Sequence, residues 1–153
     1  MKGESLTSFI QKWRLNFFPC YRGTGGRVSY IQADWKKIRV KLSLDWRTVN
    51  YVGTLFGGSL YGSVDPMYML MLIRILGPEY IVWDKGANIR FLKPGRSTLY
   101  ADFEISDEEI ATIKQLLQHE KAIDRVYTVE LVDKDGVLHA QVEKILYIRK
   151  RSP

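Results

Sequence analysis

The chain has 153 residues, 46% of them hydrophobic and 26% charged, the balance of a globular domain rather than a disordered or fibrous chain. One cysteine, Cys20, excludes an intrachain disulfide, and His119 and His139 stand too far from it to form a metal-ligand spacing, so neither a metal nor another cofactor is expected. The formal net charge of +6 favours anionic partners, but the basic residues are scattered over "DWKKIRVK", "IRFLKPGR" and "RKR", read as a charged strand face and a solvated tail with no nucleic-acid motif beside them.

In chain order, the opening "MKGESLTSFIQKWRLNFFPC" does not read as a signal peptide, because Glu4, Gln11, Lys12 and Arg14 interrupt any apolar run. Leu6, Phe9, Ile10, Trp13 and Phe17 recur at helical spacing and predict a short amphipathic helix ending before Pro19. "GTGG", Gly23 to Gly26, reads as a loop. In "KIRVKLSL", Ile38, Val40, Leu42 and Leu44 alternate with Lys37, Arg39, Lys41 and Ser43, the pattern of a half-buried strand in an antiparallel sheet. The run "NYVGTLFGGSLYGSVDPMYMLMLIRILG", Asn50 to Gly77, predicts a long apolar helix stopped by Gly77-Pro78. Its stretch from Pro66 to Leu76 is shorter than the ~20 residues of a membrane span and holds Arg74, so a buried helix is expected. "ANIRFL", closed by Pro94-Gly95, and "TLYADFEI", with Leu99, Ala101, Phe103 and Ile105 on one face, predict two strands. Ser106 and Glu109 form a capping-box pattern ahead of Ile110, Ile113, Leu116 and Leu117, a second helix. "RVYTVELV" and "VLHAQVEKILYI", joined by "DKDG", predict a hairpin. His119 and His139 are expected at the surface, and Cys20 as a buried or loop thiol.

A helix apolar almost all round must be covered on most sides, and amphipathic strands can wrap it. The pattern predicts one α+β domain over residues 1–153, a central helix in a curled antiparallel sheet with a short amphipathic helix in front. Asn50, Gly53, Thr54, Phe56-Gly57-Gly58 and then Asp65 resemble the signature of the hotdog-fold thioesterases, in the branch acting on phenylacetyl-CoA and medium-to-long-chain acyl-CoA. "ANIRFLKPGR" looks like the strand of that family that ends in a Leu/Tyr-x-Pro-x turn, and the resemblance covers Val40 to Ile148. It extends to little-characterised members that lack the usual histidine, since Phe56 stands where the family has His. Trp83 and Asp84 stand where the family often has a serine or threonine. The resemblance implies a hotdog fold and an acyl-CoA thioesterase without cofactor; the single cysteine points to a reducing compartment, the cytoplasm. The resemblance also implies a homodimer or a tetramer of two dimers and an acyl-CoA or similar thioester as partner; the lack of a nucleic-acid motif and of a spanning stretch leaves neither nucleic acid nor membrane as an expected partner. The resemblance makes Asp65, Asn50 and Gly57 the catalytic residues and sets Phe56, Gly58 and Tyr61 against the substrate.

The chemistry of these residues fits that assignment. Free N–H groups at a helix N-terminus polarise a carbonyl, and Gly57 and Gly58 let it approach without meeting a Cβ. Asn50 orders the loop or donates an N–H. Asp65 activates water as general base or attacks directly. On a continuous helix Gly57 and Asp65 lie ~12 Å apart along the axis, too far to share one thioester carbon. Two copies of the helix, antiparallel across a two-fold axis, bring the amides of one chain to the carboxylate of the other. Other readings stand beside this one. Asp65-Pro66 is also a helix-start pattern, with Asp65 capping the Tyr68 N–H. Tyr61 can pack rather than touch substrate. The chain can bind acyl-CoA without turning it over, act as a hydratase, or serve as a basic interaction module for nucleic acid.

Overall fold

Alternation along the strands and one stiff apolar helix segment set the architecture. A computed structural model describes residues 3–151. Its elements are α1 (Leu6–Phe17), α2 (Pro19–Gly23), β1 (Gly26–Ile31), β2 (Lys37–Leu42), α3 (Gly57–Val64), α4 (Met67–Leu76), β3 (Tyr80–Phe91), β4 (Leu99–Glu104), α5 (Asp107–His119), β5 (Ile123–Val132) and β6 (Leu138–Lys150). The strands form one six-stranded antiparallel sheet in the order β1-β2-β4-β5-β6-β3. It curls around α3 and α4 in the hotdog arrangement. The predicted inward faces are buried: Ile38, Val40 and Leu42 on β2, then Leu99, Ala101 and Phe103 on β4 with Ile105 just beyond it. Met67, Tyr68, Met71, Leu72 and Leu76 of α4 fill the concave side, each large apolar chain contributing about 1.5–3 kcal/mol by leaving water. Among the described residues no helix is long and apolar enough to cross a membrane.

The central helix is not one element from Asn50. Residues 50–55 form a tight loop, and the helix breaks at Asp65 and Pro66 into α3 and α4. Pro66 has no N–H to give to the Gly62 carbonyl, so the ladder skips there. The backbone stays helical through the break, with Asp65 at φ −48° and Pro66 at φ −82°. Beside the break the buried Tyr21 hydroxyl donates to the Ser63 carbonyl at 3.0 Å.

Other boundaries moved for local reasons. Pro19, expected only to stop a helix, also starts α2 at its first position. "GRVSYI" is a strand, β1, whose short alternation is interrupted by a bulge between Val28 and Tyr30. β3 begins at Tyr80 rather than Ala87. Ser106 caps α5 by accepting from the Glu109 N–H at 3.1 Å. The Glu109 carboxylate turns away to Arg125 and the Tyr127 hydroxyl, so the capping box is only half formed. His139 is buried, not at the surface, with its ring nitrogens 3.1 Å from the Pro94 carbonyl and from Asp133. Cys20 is exposed, in α2.

α1 is inverted relative to an ordinary amphipathic helix. Its buried residues are Ser8 and Lys12. Asn16 donates to the Val28 carbonyl at 2.9 Å and accepts its N–H at 2.8 Å. Lys12 donates to Glu4 and, at 3.4 Å, to the Ser29 carbonyl. Glu4 accepts the Ile31 N–H at 3.0 Å. These polar side chains take up the outer backbone groups of β1, groups that would otherwise need water.

Candidate active site at the broken helix

The N-terminal end of α3 is built by the loop before it. Asn50 accepts the N–H groups of Val52 and Thr54 at 3.1 and 3.0 Å and donates to the Thr54 hydroxyl at 2.9 Å. Gly53, at φ +79°, makes the turn that this knot requires. Asn50 therefore orders the loop, the first of its two expected roles. The loop is tied down where the Phe56 N–H donates to the Thr48 carbonyl at 2.8 Å, and the Leu60 N–H closes the first turn on the Phe56 carbonyl at 3.0 Å. Gly57, Gly58 and Ser59 precede that first bond, and no side chain caps them. Their amides are the donors that helix geometry leaves over, at the positive end of the helix dipole. A groove of about 330 Å³ opens beside them, lined by Asn50, Gly57, Leu60, Phe91, Leu92 and Pro94 among others. Phe56 and Gly58 were expected on this wall too, but they lie outside it. Phe56 is 55% exposed, and its ring lies over Gly58, where a Cβ would come within 2.3 Å of it. A Cβ on Gly57 would sit 3.2 Å from the Phe91 ring.

Asp65 occupies the other end of α3 and does not cap. No side chain caps α4, which removes the reading of Asp65 as a partner of the Tyr68 amide. Instead Asp65 Oδ1 accepts from the Tyr61 hydroxyl at 2.6 Å and pairs with Lys144 Nζ. Tyr61 is thus a neighbour of the carboxylate. Lys144 lies on β6 with its side chain 1% exposed, while the Asp65 side chain is 38% exposed. A second carboxylate, Asp84 of β3, places Oδ1 2.9 Å from Lys144 Nζ, at an angle short of a hydrogen bond. One buried ammonium therefore joins two carboxylates from two other elements. Asp65 is the more open of the pair, since the Asp84 side chain is 25% exposed.

Burial by itself would lower the affinity of Lys144 for its proton. Its pairing with the Asp65 and Asp84 carboxylates outweighs this and raises it, so the amine stays an ammonium. Burial raises the Asp84 carboxyl above its ordinary 3.8 against the pull of Lys144, and the Asp65 charge adds to the rise. Folded Asp84 thus holds a proton more tightly than unfolded Asp84. Its contribution to stability is whole below 3.8 and declines as pH rises through the higher folded value. Melting temperature followed against pH is expected to carry this decline in the wild type and to lose it in Asp84→Asn; an identical profile in both proteins would assign the decline elsewhere.

Asn50 and Gly57 line one groove at the start of α3, and Asp65 lies at its far end. The sequence reading missed Lys144 and gave Asp84 no role. The signal for Lys144 was present: it stands in phase with Val142, Leu146 and Ile148, all buried on the inward face of β6.

Residues 7–148 match a family described as Domain of unknown function (DUF4442). No curated protein matches the chain. Among solved structures, the chain is similar to PA5026 of Pseudomonas aeruginosa, described as a protein of unknown function and "Probable Thioesterase". That likeness has a TM-score of 0.82 at 13% identity, over 99% of this chain and 100% of the other. Thioesterase HI1161 of Haemophilus influenzae aligns with a TM-score of 0.68 at 16% identity, over 98% and 96% of the two chains. A mutant of thioesterase PA1618 of Pseudomonas aeruginosa aligns at 0.71 and 13%, over 99% and 100%. At these identities the likeness is one of fold.

Proposed function

The chain belongs to the DUF4442 family, and we propose that it hydrolyses acyl thioesters at a site shared between two copies of the chain. The observation that carries this reading is the uncapped amino end of α3 beside an apolar groove. In the proposed mechanism the acyl chain lies along Leu60, Phe91 and Leu92. The thioester oxygen takes the N–H group of Gly57, which with the helix dipole stabilises the negative charge that develops there. The partner's Asp65 activates the attacking water as general base. Tyr61 and Lys144 hold that carboxylate in place. The thiolate leaves toward solvent.

Two features support a shared site. Gly57 and Asp65 stand ~12 Å apart along the helix path, so one chain cannot place both on one carbon. β3 pairs only with β6 among the described residues, leaving its other edge open over 12 residues, long enough for a second copy to pair with it. The acyl-CoA class of substrate is drawn from the resemblance and from the names of the fold relatives. A second reading, binding of an acyl thioester without turnover, is favoured by Phe56, which cannot hydrogen-bond where a histidine is usual.

The test is thiol release from a panel of acyl-CoA thioesters with chains of increasing length. Release that rises with chain length until the groove is filled supports the hydrolase. Tight acyl-CoA binding with no thiol released on any member leaves the binder. A monomer in sedimentation at working concentration would remove the shared site.

A further inference from the structure

The apolar stripe of α1 faces outward. Leu6, Phe9, Ile10, Trp13 and Phe17 lie at helical spacing along one side, and all five are exposed, as is Phe18 just beyond; Leu6 is 77% and Phe17 63% accessible. The stripe cannot turn inward, because Lys12 and Asn16 on the opposite face are bound to the edge of β1. Trp13 stacks with Phe17, at 5.8 Å and 24°, and the Arg27 guanidinium lies 5.4 Å from the Trp13 ring. A packed aromatic surface of this kind needs cover.

The charge around the stripe says what covers it. Residues 3–31 carry Lys12, Arg14, Arg22 and Arg27 against one acid, Glu4. Glu4 is occupied by Lys12 and the Ile31 N–H. Arg14, Arg22 and Arg27 are exposed. A groove of about 380 Å³ beside Trp13 adds Lys41 and Arg47, the latter paired with Asp45. A second copy laid on this face across a two-fold axis would set arginine against arginine with no free carboxylate between them. A surface of anionic head groups over acyl chains matches both components: aromatic and aliphatic side chains enter the boundary while the arginines meet phosphates.

We propose that α1 docks the protein on an anionic lipid surface, lying in the plane of the interface without crossing it. This departs from the sequence expectation of no membrane partner, which rested on the lack of a spanning segment. It is independent of the chemistry at Asp65.

The experiment is flotation of the full chain with vesicles of phosphatidylglycerol and phosphatidylcholine, beside vesicles of phosphatidylcholine alone. Flotation is expected with the mixed vesicles only and weakens as salt is raised. The double variant Ile10→Ser/Phe17→Ser changes two exposed residues, so its melting temperature should match the wild type. Its partitioning should fall by roughly tenfold or more. The proposal is overturned by absence of flotation at low salt, or by equal partitioning of the variant. A variant that sediments as a smaller assembly than the wild type also overturns it, because the stripe would then belong to a second copy of the chain.

Discussion

Asp65→Asn is expected to lower thioester hydrolysis by ~10² or more, the usual loss when a general base is removed, while the folded chain persists. Asparagine keeps the shape of the side chain, and its oxygen still accepts from Tyr61 and Lys144. Lys144 retains Asp84, 2.9 Å away, as a counter-charge. No helix cap is lost, because Asp65 supplies none. Binding of an acyl-CoA should change little, since the groove at Asn50, Gly57 and Phe91 is untouched. The separation of turnover from binding is the diagnostic: thiol release falls and the dissociation constant for a non-hydrolysable analogue stays. Turnover equal to wild type in this variant would end the assignment of Asp65 as the base.

Lys144→Met is expected to cost about 3–5 kcal/mol of folding stability, the range for removing one member of a buried ion pair and stranding the other. Methionine fills much of the same volume, so the loss is chiefly electrostatic. Asp65 can turn toward water, but Asp84 Oδ1 is buried and has no other partner among the described residues. Without the ammonium the Asp84 carboxyl should move further above its ordinary value. A group with a raised folded value stabilises below the unfolded value and loses that contribution as pH rises. The defect should therefore be larger at neutral than at acid pH. Combining Lys144→Met with Asp84→Asn should restore most of the stability, a non-additivity expected for residues in contact. Denaturant unfolding of the four proteins of this cycle measures it. Additive losses would show that Lys144 and Asp84 are not coupled.

Patterns that depend on one element were legible in the sequence. The inward residues of β2 and β4 follow from period two, and the wrapping of an apolar helix by amphipathic strands follows from its circumference. Asn50, Gly57 and Asp65 stood out through the resemblance of their run to a known signature. Features that depend on two or more elements were not legible. The phase of Lys144 with Val142 and Leu146 shows its direction but not the two carboxylates, from α3 and β3, that meet it. Asp84 gains meaning only because β3 pairs with β6 beside it, Asp84 opposite Leu146. His139 looked like a surface residue because its two partners, Pro94 and Asp133, come from separate turns. α1 showed its periodicity but not its direction. Which face turns inward was decided by the hydrogen-bonding demand of the β1 edge, and a hydrophobic pattern carries no information about that demand.

The polar fastening of α1 to β1 also bears on how far the chain can associate. A sheet with two bare edges can add strands at both ends without limit, the route to fibres. Here the outer groups of β1 at Val28, Ser29 and Ile31 are already taken by Asn16, Lys12 and Glu4, and among the described residues only β3 is left to accept a neighbour. Two sheets joined at β3 would present β1 at each outer end, both closed. Growth then stops at a pair, because the joining operation uses up the last sticky edge of each chain. The inverted helix works as a terminator: it makes an exposed 12-residue strand safe to keep.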